Sequence, residues 1–172
     1  MKALLLFIAS ILVVGSVYAA SLEEDIAAQG KQSYLHKSIT DQQLAASIRD
    51  YEDVTAANTL TYSECGKTMF LNSATEFAST LPAPVAGCYF KFIVKAAPVG
   101  ASYTVVSSGG SNIIEGIAVV NGATVTAANE DTITFTASAA IAGDWVELYS
   151  DGTSWYVAGQ GSAATAIAFT AT

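Results

Sequence analysis

From about residue 59 onward, short runs of alternating apolar and polar side chains are separated by Gly, Asn, Asp and Ser. That is the pattern of β-strands joined by turns. The predicted strands are 59–62, 68–72, 77–81, 89–95, 102–107, 113–120, 132–137, 145–150, 155–158 and 166–170. Phe90, Phe92 and Val94 alternate with Lys91, Ile93 and Lys95, so one side of that strand faces a core. Ile133 and Phe135 alternate with Thr132, Thr134 and Thr136 in the same way. The Ser107–Asn112 stretch and Asn121-Gly122 supply turn positions with positive φ.

The clearest hairpin spans Gly143 to Val157, turning at Asp151-Gly152. A two- or four-residue loop sets Val146 and Leu148 on the face of Trp155 and Val157, with Trp155 as the main core plug. No helical periodicity of useful length follows Val54. The expected domain is therefore all-β, a small antiparallel sandwich or prism-like body closed in part by association.

The first 58 residues read differently. Met1-Lys2 precedes an apolar run from Ala3 to Val17, and Val17-x-Ala19 has the small residues of a cleavage site. This predicts a secretory signal peptide cut between Ala19 and Ala20, with a retained hydrophobic anchor over 1–19 as the alternative. Ser21 with Glu24, and Thr40 with Gln43, form capping boxes that open two short helices, about 21–29 and 41–53. Leu44, Ile48 and Tyr51 make a narrow stripe on the second. The chain thus divides into 1–19, a helical connector for attachment (20–58) and a β-domain (59–172).

Charge sharpens the picture. Residues 59–172 carry three lysines, eight acidic residues and neither Arg nor His, whereas a freestanding domain has charge at roughly 25–35% of its surface positions. Ala, Ser, Thr and Gly fill the places between strands instead, so much of this exterior is expected to be covered by copies of itself. The net charge of −8 over 172 residues excludes a phosphate-backbone partner, which needs clustered Lys and Arg. Nucleic acid is not expected as a partner.

No residue pattern points to catalysis, a cofactor or a metal. His36 stands alone in the linker 31–38, without the second His or Cys that metal ligation or thiol catalysis requires. Glu23-Glu24, Asp50/Glu52/Asp53 and Glu130-Asp131 fall at helix ends and a turn, where solvated charge is expected. Gly109-Gly110 lacks the Lys and helix of a phosphate loop. Cys65 and Cys88 are the only cysteines. In an oxidising compartment they pair, closing a loop of about two dozen residues for about 3 kcal/mol; in the cytoplasm they stay as two small thiols. Trp145, Tyr149 and Tyr156 are the candidate contact residues, either packing an interface or stacking on a host-surface glycan.

Leu60-Thr61, Gly66-Lys67-Thr68-Met69-Phe70-Leu71-Asn72, Leu81-Pro82 and Gly87-Cys88-Tyr89-Phe90-Lys91-Phe92 resemble a β-domain of tailed-bacteriophage virion proteins. Gly143-Asp144-Trp145-Val146-Glu147-Leu148 and Ser150-Asp151-Gly152-Thr153-Ser154-Trp155-Tyr156-Val157 resemble the closing hairpin of phage head-fibre, decoration and tail-fibre domains. The resemblance covers about residues 59–172. It implies a trimeric, non-enzymatic structural protein on the virion surface, partnered by itself and by capsid or other virion proteins. The signal-like N-terminus departs from that pattern and supports an exported cell-surface adhesin or filament subunit, or a secreted carbohydrate-binding module, as alternatives.

Overall fold

The computed structural model describes residues 50–73, 75 and 77–171. The signal peptide with its Ala19–Ala20 junction, the first helix and His36 lie outside them. Among the described residues twelve strands form two sheets. One is seven-stranded, in the order β1 (Tyr51–Val54), β3 (Thr68–Leu71), β5 (Tyr89–Val94), β10 (Trp145–Ser150), β11 (Trp155–Gly161), β7 (Ile114–Val120) and β8 (Ala123–Glu130). The other is five-stranded: β12 (Ile167–Thr170), β9 (Thr132–Phe135), β6 (Tyr103–Val106), β4 (Ala78–Thr80) and β2 (Asn58–Thr59).

The all-β expectation holds, but the sheets are mixed rather than antiparallel. Five of the ten strand pairings are parallel: β1 with β3, β3 with β5, β2 with β4, β4 with β6, and β11 with β7. The cause is the route of the chain. From β1 to β6 each strand goes to the sheet its predecessor did not use, so each returns beside the strand two before it, running the same way. Alternation along a strand shows which side is buried; it does not name the neighbour.

Two local expectations are corrected. The second helix was expected to reach residue 53, yet Tyr51–Val54 is a strand, with Thr68 N–H donating to Asp50 O at 2.9 Å and Asn72 N–H to Val54 O at 2.9 Å. A ladder to β3 outweighs the last position of the Leu44, Ile48 and Tyr51 stripe; the rest of that helix, 41–49, lies outside the described residues. The strand expected over 59–62 ends at Thr59, because Glu64 Oε2 accepts from Thr61 N–H at 2.8 Å and caps a 3₁₀ turn at Tyr62–Glu64. β8 is an addition. Only Val125 and Ala127 turn toward the core, between exposed Thr124, Thr126 and Ala128, an alternation too short and too weakly apolar to detect.

The core lies between the sheets. Met69, Leu71, Phe90, Phe92, Leu148 and Trp155 from one sheet, and Tyr103, Val105, Ile133 and Phe135 from the other, are fully buried in a single cluster. Trp155 packs at 5.8 Å from the Phe90 ring, as expected of the core plug. Ser150 pairs with Trp155, so the β10–β11 loop has four residues. Asn121 (φ 49°) and Gly122 (φ 78°) turn β7 into β8. Cys65 and Cys88 are joined in a disulfide between the approaches to β3 and β5.

Candidate functional site

β10 is the central strand of the seven, and its outward residues set the middle of the outer face. Val146 and Leu148 point into the core, so Trp145, Glu147 and Tyr149 point out. The buried carboxylate of Asp144 fixes where β10 starts. Its Oδ2 accepts from Ile141 N–H (2.9 Å) and Ser162 Oγ (3.2 Å), and its Oδ1 from Ser162 N–H (2.9 Å).

Strand register then assembles three rows across the face. Tyr89, Tyr149, Tyr156 and Glu115 are successive partners on β5, β10, β11 and β7. Thr68, Lys91, Glu147, Ala158 and Ile117 form the next row. Asp53, Phe70, Ile93, Trp145, Gln160 and Val119 form the third. The three aromatics singled out in the sequence are thus brought together. Tyr51 (67% exposed), Tyr149 (48%), Tyr156 (47%), Ile117 (50%) and Val119 (44%) are five of the nine large apolar residues exposed among the described residues.

The polar groups on this face hold one another. Lys91 Nζ sits 4.2 Å from the centre of the Trp145 ring and 3.6 Å from Glu147 Oε2. Tyr89 OH donates to the same Glu147 oxygen at 3.4 Å, and its ring lies 4.8 Å from that of Tyr149. Lys95 pairs with Asp53 on this face at 2.6 Å, while Lys67 pairs with Glu52 at 3.0 Å on the other side of the sheet edge, Glu52 being the register partner of buried Met69. All three lysines of the domain are thus neutralised locally. At the tip of the β10–β11 loop, the N–H groups of Ser154 and Thr153 and the Thr153 hydroxyl hold the Asp151 carboxyl at a pKa of about 2. Tyr156 OH donates to Asp151 Oδ2 at 3.2 Å, which pushes the phenol's pKa up.

The acidic residues do not converge on a cleft. Asp131 is buried rather than solvated, with Thr132 Oγ1 donating to its Oδ1 at 2.6 Å, and Glu130 ends a strand. Among the described residues no cluster of three His, Cys, Asp or Glu is placed to hold a metal, and no helix is long and apolar enough to cross a membrane. The opposite exterior, that of the five-stranded sheet, carries Ala78, Thr80, Thr104, Val106, Thr132, Thr134, Ala168 and Thr170 and, among the described strand residues, no ionisable side chain.

Comparison with protein-family models, with curated proteins and with solved structures finds no match for the chain. Tyr89, Phe70, Ile117 and Val119 were not singled out in the sequence; the outward side of the 89–95 alternation was the one signal for the β5 members. The others join the site only through ladders between strands far apart in the chain.

Proposed function

We propose that this chain is a non-enzymatic structural protein of a phage virion, displayed as head decoration or fibre, whose β-domain associates with copies of itself. The observation that carries this reading is the outer face of the seven-stranded sheet. Exposed apolar patches beyond a few hundred Å² mark interaction surfaces, and here the rings and aliphatic side chains share one face with pre-paired charges. Interfaces are enriched in Tyr and Trp and depleted of unpaired charge at their centre. The charge-free exterior of the five-stranded sheet adds to the case. Peptide mapping of density-purified particles should find this chain at a stoichiometric copy number; its absence from particles would sink the virion assignment.

One observation favours a second reading, an exported cell-surface subunit. The Cys65–Cys88 bond belongs to an oxidising compartment and agrees with a cleaved leader. Intact mass decides between them: a native chain beginning at Ala20 supports export, and one beginning at Met1 supports assembly with the segment retained.

A further inference from the structure

We infer that the outer face of the seven-stranded sheet stacks on the same face of a second copy, about a two-fold axis running along β10. This rests on the self-associating reading above and names the surface and its geometry. An isologous contact requires a face that complements itself when turned over. A two-fold axis parallel to β10, the central strand, lays β5 over β11, β3 over β7 and β1 over β8 of the second copy. The row Tyr89–Tyr149–Tyr156 then meets Tyr156–Tyr149–Tyr89, so three rings face three rings. In the third row Phe70 meets Val119, and Trp145 meets its own counterpart on the axis.

Register selects this axis over the one at right angles to it within the interface. Turning about β10 keeps each row over itself, whereas turning about the perpendicular axis through Glu147 lays the first row over the third and sets Glu115 on Val119. Glu147 meets its own counterpart on either axis, and the Lys91 ammonium 3.6 Å from it in each copy offsets the like charge. Size agrees as well. Seven strands at about 4.8 Å spacing and five residues at about 3.3 Å give a face of about 30 by 17 Å. Two such faces bury about 1,000 Å² in projection, the level a specific contact has to reach. Aligned sheet packing brings the two faces about 10 Å apart, close enough for the rings to interdigitate.

The test uses the full chain, with the native Cys65–Cys88 bond verified by peptide mass mapping. Light scattering on the wild type should give a dimer. Tyr149→Cys, on the axis, should form a disulfide with its own counterpart under mild oxidation, while Tyr51→Cys, exposed on the same sheet but at its edge, should not. Tyr149→Arg should raise the dimer dissociation constant by about 30-fold or more, as loss of a central anchor does, with far-UV circular dichroism unchanged; Thr134→Arg on the other sheet should leave it as it is. An oligomer that survives Tyr149→Arg, or that fails to cross-link at 149, overturns the proposed surface and leaves the structural reading in place. A trimer, the order the phage resemblance implies, overturns the two-fold axis alone. A monomer at every concentration overturns both.

Discussion

Gly116 sits at the one irregular point of the β7–β8 ladder, where the register shifts between Ile114 and Gly116. Replacing it with alanine sets two costs against each other's absence elsewhere. Its φ of +131° lies in territory that side chains avoid, at about 1–3 kcal/mol. The added Cβ would stand 2.2 Å from Val157 O and 3.0 Å from Val157 N. Both are backbone atoms, so no rotamer change relieves the clash and β7 must move off β11. Each ladder hydrogen bond opened forfeits about 1 kcal/mol. Gly116→Ala should therefore cost about 3–5 kcal/mol, a large part of the 5–15 kcal/mol typical of a domain. Gly109→Ala isolates the first cost: its φ is +66° with nothing within 4 Å of the new Cβ, so about 1 kcal/mol is expected. Urea unfolding at fixed protomer concentration, followed by tryptophan fluorescence, measures both. Two variants agreeing within about 0.5 kcal/mol would refute the close-approach argument.

Other outcomes follow from the same structure. Reduction of Cys65–Cys88, whose partners are 23 residues apart, should lower stability by about 3 kcal/mol, visible as a depressed melting temperature in reductant; an unchanged melt would contradict it. Asp144→Asn turns one of two buried acceptor oxygens into a donor facing donors, and should cost about 2 kcal/mol in the same unfolding assay. Asp151 titrates lower folded than unfolded, so its contribution to loop stability is complete above the ordinary Asp range and is lost as pH falls through about 2. A carboxyl carbon NMR titration should place its midpoint there, and a midpoint near 4 would show the N–H cradle to be absent.

What was legible from the sequence was local. The Asp151-Gly152 turn and its flanking alternation gave the β10–β11 hairpin, the buried Trp155 and the outward Tyr149 and Tyr156. Strands β3 to β7, β9 and β12 followed from runs of apolar residues. The parallel ladders did not, because they join segments separated by a full passage through the other sheet. β1 was concealed by Tyr51 falling in step with a helical stripe, and β8 by having almost no buried side. The candidate face was half visible for the same reason. Tyr149 and Tyr156 are hairpin partners, but Tyr89, Phe70, Ile117 and Val119 reach them only through distant pairings.

The covalent link at Cys65 and Cys88 also determines how the domain responds to being pulled. Tension on the chain ahead of Asp50 enters β1 along its own length, and the β1–β3 ladder resists in shear. Once β1 and then β2 strip away, the load reaches Cys65 and passes directly to Cys88 at the mouth of β5, bypassing β3 and β4 between them. Only the fifteen or so residues ahead of the bond can pay out, about 50 Å of slack. Beyond that the tether goes taut with β5 and the strands beyond it still in place.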